Sequence, residues 1–175
     1  MAFIPIEDIQ YKTNISPIMV LEILSSNTEK YNILKTIFYS YNKIFIGKFD
    51  KNNFKLKYNF NLNKKLFIYY NTFDPIAFGK IFTNNNETII NVFMRMNIFD
   101  IIFMSIWLGG FVFGIIYFIF LTQIDYNFER YFAILIIFLV FVIGYIFMTA
   151  LFKRKSSKII NKLLELLKSE IIYEL

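Results

Sequence analysis

The chain has 175 residues, 57% of them hydrophobic and 21% aromatic, with a formal net charge of +6. It contains no cysteine and no histidine, which excludes disulfides, thiolate nucleophiles, zinc sites of the Cys/His kind and histidine acid–base catalysis. The apolar excess over the usual level of about 45–50% is concentrated between residues 101 and 152, which marks insertion in a bilayer rather than a large soluble core.

The first ten residues, MAFIPIEDIQ, bring Pro5, Glu7 and Asp8 early and lack a basic segment followed by an apolar run, so no signal peptide is predicted. In TNISPIMVLEIL (13–24), Ser16 can cap free amides and Pro17 suits the first helical position. With Ile18, Leu21 and Leu24 at helical spacing, a helix is predicted over 17–26. Residues 31–41 fit a helix or a strand equally well. From residue 43 the apolar period becomes two. FKLKYNF (54–60) alternates Phe54, Leu56, Tyr58 and Phe60 with Lys55, Lys57 and Asn59, the pattern of a half-buried strand. KIFIGKFD (43–50) is its predicted hairpin partner and LFIYY (66–70) a third strand. IAFGKIF (76–82) and TIINVFMRM (88–96) form a second predicted hairpin, with Ile90, Val92, Met94 and Met96 on one face of its last strand.

Residues 101–121 and 131–152 carry no charge. The first stretch, as a helix, is about 31 Å long, the thickness of the hydrocarbon core. Its Leu, Ile, Phe and Val side chains contribute roughly −4 to −8 kcal/mol on an insertion scale. The nine residues TQIDYNFER between the two stretches force an antiparallel helical hairpin. Asp100 stands at the start of the first helix, where a negative charge complements the helix dipole. Lys153, Arg154, Lys155 and Lys158 follow the second stretch, Lys80 and Arg95 precede the first, and the connecting loop holds Asp125, Glu129 and Arg130. The positive-inside rule then places both termini in the cytoplasm and the loop outside. The tail, 156–175, is amphipathic, with Ile160, Leu164, Leu167, Ile171 and Leu175 in one stripe, widened by Leu163 and Ile172, and lysines and glutamates on much of the rest. Its mixed charges predict a helix docked on the protein's own cytosolic domain rather than on lipid.

The predicted fold is therefore α+β: a small antiparallel sheet with an N-terminal helix (1–97), a two-helix transmembrane hairpin (98–152) and a C-terminal amphipathic helix (153–175). YYNTFDPIAFGKIF, with Pro75 and Gly79, followed by Thr88-x-Ile90-x-Val92-x-Met94-Arg95 and a span carrying Trp107, resembles a loosely defined group of uncharacterised small bacterial inner-membrane proteins. The FIGKFDKNNFKL hairpin (45–56) fits as well, and Asp74 stands where an apolar residue is more usual. The resemblance covers about 45–107 and implies a cytosolic β domain followed by a transmembrane hairpin in the inner membrane; it implies no activity.

Five residues are candidate functional positions. Lys153, Arg154 and Lys155 are read as a basic anchor at the lipid headgroups. Gly110 and Gly114 form a GxxxG, read as a helix-packing motif against the second span or a second copy. Asn71, Thr72 and Asp74 before Pro75 are read as a turn. Glu22, Asp50 and Asp74 show no paired spacing, and neither a phosphate-binding glycine loop nor a nucleophile elbow occurs. No charged residue lies inside either span, whereas transport and proton-relay sites usually need one. The sequence thus predicts neither enzyme nor transporter, with no cofactor, metal or nucleic acid. The expected partners are the lipid bilayer and a protein partner or a homodimer. The expected role is a membrane-tethered interaction or regulatory module, with immunity or stress protection as the alternative and a lipid-acting enzyme a more distant one.

Overall fold

The computed structural model describes residues 5–32, 41–60, 73–84, 87–122 and 128–174. The predicted strand at 66–70, the loop residues Asn71 and Thr72, and most of the 31–41 segment lie outside them. The chain divides into two compact units: Met1–Asn97 with Phe152–Leu175, and Ile98–Leu151.

The first unit is built on a seven-stranded sheet in the order β2-β3-β4-β5-β6-β1-β7. Its strands are β1 (Ile6–Thr13), β2 (Thr28–Lys30), β3 (Phe45–Asp50), β4 (Asn53–Tyr58), β5 (Pro75–Asn84), β6 (Glu87–Met96) and β7 (Glu170–Glu174). All neighbours are antiparallel except β2 and β3. The two predicted hairpins appear as β3–β4 and β5–β6. Helix α1 (Pro17–Ser26) begins at Ser16, whose hydroxyl accepts from the Met19 amide at 3.4 Å, and buries Val20 and Leu24.

Two expectations are corrected. The sheet is not small, and no helix opens the chain, because β1 precedes α1. β1 escaped a reading by alternation because its inward row, Glu7, Ile9, Tyr11 and Thr13, starts with a charge and ends with a hydroxyl. The tail is also not wholly helical. Its helix ends at Leu167, and residues 170–174 add β7 to the free edge of β1. Lys168 adopts a left-handed φ of 45° and the Ser169 amide reaches back to the Leu164 carbonyl at 3.3 Å, which is Schellman-type closure. Beyond it, the β-branched and aromatic residues of EIIYE suit an edge strand.

One face of the sheet is buried. Ile9, Tyr11, Leu56, Ala77, Ile81, Ile90, Val92, Met94 and Met96 are all within 1% of full burial. They meet α1 and the last turns of α3 (Phe128–Leu167), where Phe152, Ile159, Leu163 and Leu167 are equally buried. Of the predicted stripe, Ile160, Leu163 and Leu167 are buried, whereas Leu164 is half-buried and Ile171 is exposed on β7. Gly79 faces Phe54 across β4–β5, and a Cβ there would enter the Phe54 ring. The glycine makes room for the aromatic side chain, and the ring covers its bare backbone.

The second unit contains α2 (Ile98–Thr122) and the first part of α3. Both helices are long and apolar enough to cross a membrane, with mean hydropathies of 2.1 and 2.8 in their most apolar windows, and those windows are only 6% and 11% buried. Asp100 lies in the first turn of α2. The two helices meet along an aromatic seam: Phe111 stacks on Phe141 at 4.3 Å, and Trp107 meets Phe141 edge-on at 5.4 Å.

Candidate interaction surface on the open sheet face

The alternation that buries one row of each strand projects the other row outward. Cross-strand register then fixes which of these side chains are neighbours. A single row crosses five strands: Lys48 on β3 opposes Lys55 on β4, Lys55 opposes Phe78 on β5, Phe78 opposes Phe93 on β6, and Phe93 opposes Asp8 on β1. The next row runs Asp50, Asn53, Lys80, Asn91 and Gln10. All of these except Gln10 line a shallow depression of about 620 Å³. Phe93 is 38% exposed, and Lys48, Lys55 and Lys80 are exposed. Lys55 and Arg95 each place their cation 5.3 Å from the centre of the Phe78 ring, within cation–π range.

One charge on this face is already matched. Lys12 pairs with Glu87 at 2.7 Å, and Gln10 donates to Asn91 at 2.8 Å. Lys48, Lys55 and Lys80 make no ion pair among the described residues. Like charges directly opposite across a strand pair are destabilising, so the Lys48–Lys55 pair lowers the stability of the isolated sheet.

The basic residues after the second span do something else. Lys153 pairs with the buried Glu7 at 2.7 Å and donates to the Ile6 carbonyl at 3.1 Å; Ser156 donates to Glu7 at 3.3 Å. Lys155 pairs with Asp74 at 2.6 Å, and Lys57 holds the other oxygen of that carboxylate at 3.1 Å. Asp74 is 1% exposed. Two of the three candidate anchor residues therefore tie α3 to the sheet, and Arg154 is the exposed one. Asp74 precedes β5 next to Phe73, whose φ is 60°. It stands at a turn as expected, but it is a buried ion-pair centre and not a solvated acid. Lys155 and Lys158 also lie 5.4 and 5.9 Å from the Phe60 ring centre.

Gly110 and Gly114 face open space, where added Cβ atoms would meet nothing within 4 Å. The glycine that does receive a neighbour within the helix pair is Gly144, whose Cβ position lies 3.1 Å from the Trp107 ring. Sequence reading missed it because a lone glycine in an apolar helix has no spacing partner to reveal it. Of the three acids weighed for chemistry, Glu22 is exposed on α1, Asp50 is exposed on the outer row of β3, and Asp74 is buried between two lysines. Among the described residues no three acids gather into a group that could hold a metal ion. Comparison with protein-family models, with curated proteins and with solved structures finds no match.

Proposed function

We propose that this chain is a non-enzymatic module of a bacterial inner membrane that presents the open face of its sheet to a protein partner. In this reading both apolar helices cross the bilayer, the sheet unit and both termini are cytoplasmic, and the α2–α3 connection is outside. The charge distribution supports that orientation, because residues 1–97 carry 12 basic and 7 acidic residues while the connection carries a net negative charge. A single helix, α3, supplies both a span and part of the core of the sheet unit, so the domain is held at the membrane by its own hydrophobic core. The observation that carries the interaction role is the row Lys48–Lys55–Phe78–Phe93–Asp8, where unneutralised lysines lie beside half-exposed rings. Aromatic anchors flanked by charge are the usual makings of an interface. Immunity or stress protection is the second reading. It draws on the open Gly110 and Gly114 positions, which leave a small-residue face of α2 available to another membrane helix.

The test is affinity purification of the full chain from native membranes in mild detergent. A stoichiometric protein partner, either another protein or a second, differently tagged copy of the chain, is expected with the unaltered chain and is lost with Lys55→Glu and Lys80→Glu together. A partner retained by that variant, or none with the unaltered chain, overturns this reading.

A further inference from the structure

The outward row is polar in the electrical sense. It is positive at β4, aromatic at β5 and β6, and negative at β1. Adjacent strands are about 4.8 Å apart, so Lys55 and Asp8, three strands distant, are separated by roughly 14 Å and cannot pair within one sheet. A two-fold axis lying between two facing sheets, parallel to the strands and between β5 and β6, reverses the row. It lays β4 over the partner's β1 and β5 over the partner's β6. Lys55 then meets Asp8 of the second copy and Phe78 meets its Phe93, each contact occurring twice, as an isologous interface requires. The neighbouring row agrees: Lys80 falls on Asn91 and Asn53 on Gln10, with no like charges opposed.

We infer that the open face binds a second copy of this chain, face to face, through Lys55, Phe78, Phe93 and Asp8. This rests on the reading of that face as an interaction surface, and it names the occupant. Charge complementarity is the first argument. A nucleic acid or an anionic leaflet would satisfy the lysines but be repelled by Asp8 and Asp50, whereas a second copy satisfies both ends of the row. The second argument is directional. Rotation about an axis parallel to the strands leaves both copies' strands running the same way. Both β6 strands therefore end, and both α2 helices begin after the single residue Asn97, at the same side of the dimer, as two copies in one bilayer require. Aligned sheets pack at about −30°, so the contact is centred on the aromatic pair. Tethering both copies to one membrane also raises their effective concentration.

The experiment is a charge exchange on the full chain, with mass measured in mild detergent and the sheet checked by circular dichroism. Both altered positions lie on the outward row, and the circular dichroism spectrum of each variant should match that of the unaltered chain. The unaltered chain is expected to be a dimer. Lys55→Asp and Asp8→Lys should each weaken dimerisation at least tenfold, and the double exchange should restore it. Oxidation of co-expressed Phe78→Cys and Phe93→Cys chains should link them, while Glu22→Cys on α1 should not link. A monomer at every concentration overturns the inference, as does a dimer indifferent to either single exchange, or a double variant that stays weak. A monomer that still retains a different protein through Lys55 and Lys80 overturns the inference alone and leaves the interaction role standing.

Discussion

Replacing Leu163 by Asp is expected to abolish the protected core of the sheet unit. Leu163 is fully buried in α3, one turn from Ile159 and one from Leu167, which are as buried as it is. Truncation to Ala alone costs about 2–5 kcal/mol at such a site. An aspartate adds an unpaired carboxylate where the described surroundings are apolar, at several kcal/mol more. That approaches the whole stability of a domain, about 5–15 kcal/mol. Leu164, one position round the helix and half-buried, is the internal control; its replacement by Asp should cost much less. Amide hydrogen exchange of β1 and β6 in the full chain reports the difference. Protection should vanish in Leu163→Asp and largely persist in Leu164→Asp. The opposite ranking would mean that α3 turns a different face to the sheet.

Asp74→Ala is expected to destabilise the same unit by about 2–3 kcal/mol. Removing one member of a buried ion pair typically costs about 3–5 kcal/mol. Here the lysines keep part of their side chains in water, 37% for Lys57 and 22% for Lys155, so both ammonium groups can be rehydrated and the cost falls. Replacing a buried pair by apolar groups is often neutral, so Asp74→Leu combined with Lys155→Met should recover most of the loss. Thermal unfolding followed by circular dichroism measures both variants. A loss within ±0.5 kcal/mol for Asp74→Ala, the usual range for surface substitutions, would show that the carboxylate is solvated.

The parts of the fold that could be read from the sequence are those with one dominant signal. Ser16-Pro17 and the spacing after it marked α1 to the residue. Period-two alternation marked both central hairpins and the inward row of β6. Uninterrupted apolar runs marked α2 and the first part of α3. What was missed depends on partners remote in sequence. Glu7 can face the core of β1 because Lys153 and Ser156, about 150 positions away, meet it there. β7 continues the i, i+4 spacing of the helix before it, and only the free edge of β1 makes an extended conformation better. Lys153 and Lys155 read as headgroup anchors because a basic cluster after a span has that form; the acids that engage them lie on β1 and at the start of β5. The outward lysines and rings were visible as residues, whereas the row they form depends on register across five strands.

In the proposed function the sheet unit is cytoplasmic and its open face is presented from the inner membrane. The most direct measurement is labelling of single cysteines with an impermeant thiol reagent in intact cells, which the absence of native cysteine makes clean. A cysteine at Asn127 should label without opening the membrane, and cysteines at Asn52 in the β3–β4 turn and at Lys80 on the open face should label only after the membrane is opened. Labelling of Asn52 and Lys80 in intact cells, with Asn127 protected, would contradict it.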